Sequence, residues 1–247
     1  HHHPHVEKKN FKEYFLEFIM IFLAVTMGFF AENIRENISN KSKEKEYMQS
    51  MADDLKTDTA EIGTAVLRWQ EANANTDSLL ILLKENSTPA IIDNLYGLLG
   101  RDFFHFNLFK YNNKTIEELK SSGDFRLIRN KVITNNIMSY DLDMKYILIQ
   151  EQDVKELMNT SKNIESKIFY FSQFDDKWGY NKTLHFSYNA QHSLLTDDKQ
   201  LINEYFNKMW TFHALAEVHE KIFIEDKKTA VNLLEQIQKN YKLNKQN

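Results

Sequence analysis

From Phe15 to Ala31 the chain reads FLEFIMIFLAVTMGFFA, a run broken by one ionisable side chain, Glu17. At about 17 residues it meets the lower limit for a helix that crosses the hydrocarbon core of a bilayer. The stretch beyond it constrains the fold equally: Glu32 to Glu85 contains no proline and a single glycine, Gly63. In all 247 residues there are two prolines, Pro4 and Pro89, and six glycines. Those residues punctuate turns and strand ends, so their scarcity predicts long uninterrupted helices. The expected class is all-α: an N-terminal transmembrane helix continuing into a long-helix, antiparallel, coiled-coil-like bundle.

A cleaved leader is the competing reading of the apolar run. Cleavage after Ala31 would place Phe29 where a peptidase requires a small residue, so an uncleaved anchor is expected. Tyr14 and the Phe29-Phe30 pair supply aromatic ends. Lys8, Lys9 and Lys12 precede the span, and Glu32, Arg35 and Glu36 come after it. The positive-inside bias therefore puts residues 1–13 in the cytoplasm, the span at 14–32, and the remainder outside. Glu17 sits about one turn inside the cytoplasmic end. It reads either as a carboxylate snorkelling to water or a lysine, or as a proton-linked group of the kind ion-driven envelope machines carry. The histidines His1, His2, His3 and His5 fit a tag or native sequence equally and are set aside.

With 42% hydrophobic and 27% charged residues, the chain has the composition of a folded protein. A net charge of −4 gives no basic footprint for nucleic acid. The absence of cysteine excludes disulfides, thiolate zinc sites and thiol nucleophiles.

Beyond the span, apolar residues recur in steps of four and three, the spacing of helices packed along a seam. The first such helix, within 33–88, carries Leu55, Thr59, Ile62, Val66, Trp69, Asn73, Thr76, Leu80 and Leu83. Its polar members Thr59, Asn73 and Thr76 suit register or a wet cavity. A connector at 89–129 holds a short helix from Ala90 to Leu99 and an aromatic cluster at Phe103, Phe104, Phe106, Phe109 and Tyr111. That cluster reads as a plug closing one end of the bundle, or as a docking surface. A small helix from Thr115 to Ser122 comes next, opened by a Thr115/Glu118 capping box and closed by Gly123.

Residues 130–247 read as a helical hairpin around an aromatic loop at 174–195 that includes Trp178, Tyr180, Phe186 and Tyr188. The second helix has Ile133, Ile137, Tyr140, Met144, Ile147, Glu151, Val154, Met158, Ser161, Ile164 and Ile168 on its seam. The third, opening at Thr196 or Asp197, has Ile202, Tyr205, Met209, Phe212, Ala216, His219, Phe223, Asp226, Ala230, Leu233 and Ile237. Counted from the loop at about 1.5 Å per residue, Glu151 and His219 both lie roughly 30 to 35 Å away. They are expected to meet as a buried pair that keeps the imidazole charged, the alternative being separate satisfaction. Asp226 is the other polar seam member. If the second helix returns along the first, the Trp178 loop comes to lie toward the membrane.

No catalytic signature accompanies these residues: Glu-x-x-His and His-Glu-x-x-His patterns, phosphate loops and nucleophile elbows are absent. His213 and Glu217, four apart, have metal-ligand types without a motif. The expectation is a chain that is not an enzyme and takes no cofactor or metal.

The stretches EFIMIFLAVTMGFFAENIRE and KEKEYMQSMADDLKTD (Lys43 to Asp58), with TIEELKSSGDFRLIRN (Thr115 to Asn130), resemble an uncharacterised family of single-span membrane proteins from Bacteroidota. The resemblance covers about a third of the chain. It implies a bacterial inner-membrane protein with a periplasmic domain and adds no site residues. The expected role is a membrane-anchored periplasmic scaffold or interaction module, a subunit of an envelope complex or a homo-oligomer. Its partners would be the bilayer and other envelope membrane proteins or itself, with Phe103, Phe104, Phe106, Trp178 and Tyr180 as contacts. The alternatives are a bundle sensing a periplasmic ligand near Asn73, Glu151 and His219, or an accessory subunit using Glu17.

Overall fold

The computed structural model describes residues 10–102, 108–171 and 193–243, all helix, turn or coil. Five α-helices account for nearly all of them: α1 (Phe11–Lys84), α2 (Pro89–Asp102), α3 (Lys114–Ser122), α4 (Lys131–Ile168) and α5 (Lys199–Tyr241). A 3-10 turn, Asp124–Leu127, joins α3 to α4.

Helix α1 runs unbroken for 74 residues, about 110 Å at the α-helical rise. Its first buried side chain is Glu44, and from there to Leu80 one face is covered. The covered half is about 60 Å long, matched by α4 and α5 at roughly 57 and 64 Å. Asn10 opens α1 with a capping box to Glu13. Asn130 and Asp198 cap α4 and α5 by accepting from the N–H groups of Val132 and Ile133, and of Gln200 and Leu201. Gly123 ends α3 in the left-handed region at φ 73°, which glycine enters without steric cost.

The three long helices bury most of the seam positions that periodicity assigns them, Ile202 of α5 being half-buried. Every named α4 position, from Ile133 to Ile168, is buried, and so is every α5 position from Tyr205 to Ile237. On α1, Leu55, Ile62, Trp69, Thr76 and Leu80 are buried as the spacing predicts, Asp58 and Ala65 are buried in place of Thr59 and Val66, and Asn73 and Leu83 are half-buried. Thr59 and Thr76 donate to their own helix, at the carbonyls of Leu55 and Ala72. Asn73 does link helices, donating to Glu220 Oε2 at 2.7 Å.

Contacts between ends fix the topology. Helices α4 and α5 are antiparallel, with Asn136 against Gln236 and Tyr205 against Glu165. Helices α1 and α5 are also antiparallel, with Lys84 over the Phe206 ring at one end and Glu44 accepting from Tyr241 at the other. Helix α4 therefore runs parallel to α1. The segment between them descends: α2 packs at the far end of α1, α3 sits near Asp54, and the 3-10 turn reaches Tyr47, whose hydroxyl donates to Asp124. The domain is an up-down-up-down bundle whose second leg is broken into pieces.

This topology corrects two expectations. The ends of the aromatic loop lie at the pole remote from the apolar half of α1: Leu195 N–H donates to Ile168 O, and Tyr96 donates to Ser193 O. The broken leg already makes the return journey, so α4 starts near Glu44 and climbs away. The described part of the aromatic cluster does not plug an end. Phe109 is buried halfway along the bundle, 5.4 Å from the Phe223 ring centroid. Phe103, Phe104, Phe106, Trp178, Tyr180, Phe186 and Tyr188 lie outside the described residues.

Candidate functional site

The broken leg has backbone N–H groups that no helix ladder satisfies, and a buried donor left unpaired costs about 1–3 kcal/mol. Acidic side chains of the long helices accept them. Glu151 of α4 accepts from Phe109 N–H at 2.6 Å. On α1, Asp58 accepts from Asn112 N–H at 2.8 Å, Asp54 from Thr115 N–H at 2.9 Å, and Glu44 from Arg129 N–H at 2.8 Å. Three of these carboxylates take a second donor: Asn112 Nδ2 for Asp54, the Tyr140 hydroxyl for Asp58 and the Tyr241 hydroxyl for Glu44. The Thr115/Glu118 box is not formed. Thr115 lies inside α3, whose cap Asn113 makes no side-chain hydrogen bond, and Asp54 takes the N–H from outside.

Burial sets the ionisation of these groups. Glu151 is pushed up to about 7 by burial, against the opposing pull of the Phe109 N–H and the Arg68 charge. Asp58 is pushed up to about 6 by burial, against its two hydrogen bonds. Asp141 is also penalised by burial, but the Lys120 and Lys145 ammoniums and the Tyr111 hydroxyl hold it below the ordinary range. Glu165 of α4, buried against Tyr205, is pushed up to about 7 by burial.

Glu151 and His219 reach the same level of the bundle, as the α4–α5 register requires, yet no carboxylate–imidazole hydrogen bond forms. The Glu151 carboxylate is engaged by Phe109. His219 directs Nδ1 at the Leu215 carbonyl, 2.8 Å away, and stacks on Trp69 with ring centroids 4.6 Å apart. Its Nε2 is buried with no hydrogen-bond partner among the described residues. Burial lowers the His219 pKa, which favours the neutral ring in place of the charged one expected. Asp226 is buried with Oδ2 unpartnered among the described residues, and burial, then the Asp143 and Glu225 charges, push it up to about 6.

His213 turns to Asp77, 3.3 Å away on α1, while Glu217 is exposed. Among the described residues no three His, Asp or Glu side chains are placed to hold a metal ion. Glu17 is partly exposed on the apolar half of α1. A cavity of about 930 Å³ opens at the remote pole, between the end of α1 (Leu82 to Ser87), Ile92 and Leu95 of α2, and the start of α5. It lies well away from Asn73, Glu151 and His219. Sequence reasoning missed Glu44, Asp54, Asp58, Asp141 and Glu165. The available signal was weak: Asp58 borders the Thr59 seam position, but its partner lies 54 residues on.

The apolar half of α1 has an 18-residue window of mean hydropathy 2.0, none of it buried in the structure. By length and composition it is a helix able to cross a membrane. No protein-family model, curated protein or solved structure matches the chain.

Proposed function

We propose that this chain is a membrane-anchored helical scaffold. The first half of α1 crosses a bacterial inner membrane, and the bundle on the periplasmic side engages other envelope proteins or further copies of itself. The observation that carries this reading is the division of α1: one continuous helix is bare and apolar over its first half and walls a bundle over its second. The lysines before the span and the acidic residues after it support a cytoplasmic N-terminus. The buried carboxylates serve the fold, holding the broken leg, which fits a structural role. On the outer face of α4, Met138, Leu142, Tyr146 and Ile149 are exposed in steps of four, four and three, an apolar row suited to a protein contact.

The test is fractionation with topology mapping. The native chain is expected to stay in membranes washed with alkaline carbonate, whereas Leu23→Arg combined with Met27→Arg is expected to release a folded bundle. A cysteine introduced by Thr88→Cys is expected to react with an impermeant reagent from the periplasmic side. Release of the native chain by carbonate would defeat the proposal.

The cavity at the remote pole supports a second reading, a bundle that senses a small periplasmic ligand. Copurification of a bound small molecule lost on Leu95→Trp substitution would favour it; a cavity that remains solvent-filled in the purified protein would count against it.

A further inference from the structure

We infer that the pole of the bundle nearest the apolar half of α1 is a docking surface for anionic phospholipid headgroups, which seats the bundle on the membrane that α1 enters. This rests on the anchor reading and adds a lipid partner to it.

Four contacts bring three segments together at this pole. Glu44 of α1 accepts from the Arg129 N–H and from the Tyr241 hydroxyl, Tyr47 donates to Asp124, and Asn130 donates to Asn240. Each segment brings cations. Helix α1 has Lys41, Lys43 and Lys45 there, the start of α4 is surrounded by Arg126, Arg129 and Lys131, and α5 ends on Lys239 and Lys242. All of them are exposed. The acidic residues among 41–47, 124–131 and 238–243 are Glu44, Glu46 and Asp124. Glu44 is buried and Asp124 is held by the Tyr47 hydroxyl, which leaves Glu46 facing outward. A chain of net charge −4 thus presents one cationic pole. The opposite pole has no such excess, since Lys84 and Lys199 around its cavity are matched by Glu85 and Asp197.

Helix chemistry accounts for part of this excess only. Lys239 and Lys242 sit at a helix C-terminus, where the dipole favours cations. Lys131 does the reverse. It is the first residue of α4, whose first turn has no acidic residue although a helix N-terminus favours anions. Arg126 and Arg129 crowd the same end, with Arg129 reaching Glu44 at 3.7 Å. An anionic surface outside the molecule offsets this repulsion.

Position supplies that surface. Lys41 follows Ala31 by ten residues of one continuous helix, about 15 Å along its axis. The headgroup layer fills about 5–7 Å of that gap. The remainder is roughly one Debye length at physiological salt, and a helix tilt of about 20° brings one side of the pole closer still. At that range the cations are drawn to anionic lipid, and the attraction fades at high salt.

The chain has no cysteine, so single labels report cleanly. Val132→Cys, exposed beside Lys131, marks the basic pole, and Ser87→Cys marks the opposite one. Each full-length variant is given a fluorophore and reconstituted into vesicles of phosphatidylcholine alone or with about 30% phosphatidylglycerol, both containing a headgroup-linked nitroxide quencher. Expected is quenching at Val132→Cys roughly threefold or more stronger in the anionic vesicles, falling to the phosphatidylcholine level in about 0.5 M salt, with no such difference at Ser87→Cys. Arg126→Gln, Arg129→Gln and Lys131→Gln together are expected to abolish the difference. Lys43→Gln with Lys45→Gln, on exposed positions of a continuous helix, is expected to reduce it while the bundle's thermal unfolding stays in place. Equal quenching in the two vesicle types, with the chain retained after carbonate washing, would overturn lipid docking and leave the anchor standing. A difference that persists in both sets of variants would overturn it as well. Loss of the chain from washed vesicles defeats the anchor reading and the docking with it, which keeps the two failures apart.

Discussion

The two halves of α1 have the same backbone and opposite surroundings. From Phe11 to Lys43 no side chain is buried and large apolar groups point outward on every face; from Glu44 to Leu80 a single face is buried and carries both apolar and acidic groups. Helix formation is indifferent to this change, because the i to i−4 ladder satisfies the backbone in lipid and in water alike. Side-chain chemistry alone decides which half is apolar enough for a bilayer to cover and which half other helices cover. Acidic residues therefore mean different things in the two halves. Glu17 is the single carboxylate of the apolar run, whereas Glu44, Asp54 and Asp58 are what allow a broken leg to lie against the second half.

The largest test of this division compares leucines. Leu55 is fully buried in the bundle, and Leu55→Ala is expected to cost about 2–5 kcal/mol in the unfolding of the bundle. Leu16→Ala, on the exposed half, is expected to change that unfolding by no more than about 0.5 kcal/mol. Chemical denaturation of the full chain in detergent, tracked by circular dichroism, measures both. Equal losses would mean that the apolar half is part of the same cooperative unit.

Second in size is the pH dependence. Glu151 has a folded pKa of about 7, raised above its ordinary value by burial. Its contribution to stability is therefore complete below the unfolded value near 4.5 and is lost as the pH rises through about 7. Glu165, near 7, and Asp58 and Asp226, near 6, act in the same direction. His219 opposes them, since its lowered pKa removes stability as the pH falls through and below 6.5. Glu151→Gln keeps an oxygen for the Phe109 N–H without the buried charge. It is expected to stabilise the bundle at about pH 8 by up to about 3 kcal/mol and to have little effect at about pH 4.5. Denaturation midpoints of both proteins across that pH range provide the measurement; parallel curves would show that Glu151 does not carry the burial penalty.

A smaller effect tests the acidic clamp itself. Asp54→Ala removes the acceptor of the Thr115 N–H in the first turn of α3, a loss comparable to that of a helix cap, about 1 kcal/mol. Hydrogen exchange at the first turn of α3 is expected to accelerate while exchange in the middle of α4 and α5 does not. Uniform acceleration would mean that the leg and the long helices open together.

What is legible in the sequence divides along similar lines. Ile133 to Ile168 and Tyr205 to Ile237 are readable because each helix buries one stripe against large neighbours, and a stripe repeats every 3.6 residues. The common level of Glu151 and His219 in the bundle is readable as well, since helical rise is constant. Their partners are not, because a carboxylate accepts from whichever donor comes within reach. For Glu151 that donor is the N–H of Phe109, 42 residues earlier on a segment without periodicity. The direction of α4 escapes for a related reason: it depends on how far residues 89–129 travel, and an irregular leg has no fixed rise per residue. The capping box at Thr115 does not form because a tertiary acceptor, Asp54, competes with the local one.

The smallest prediction concerns Gly63, the one glycine of the covered half. A helix interior gains up to about 1 kcal/mol from glycine to alanine through backbone entropy. At Gly63 the added methyl would meet only the Lys227 side chain, with Nζ 3.1 Å away. That ammonium ends a flexible, exposed side chain and moves at little cost, so Gly63→Ala is expected to stabilise the bundle by about 0.5–1 kcal/mol. Gly28 has no neighbour within 4 Å of an added Cβ, and Gly28→Ala is expected to leave bundle unfolding unchanged, because its half of α1 takes no part in that transition. Denaturation of the two variants side by side completes the comparison. A gain at Gly28 equal to that at Gly63 would mean that the bare half melts together with the bundle, and that the boundary at Glu44 marks a change of surroundings without a change of cooperativity.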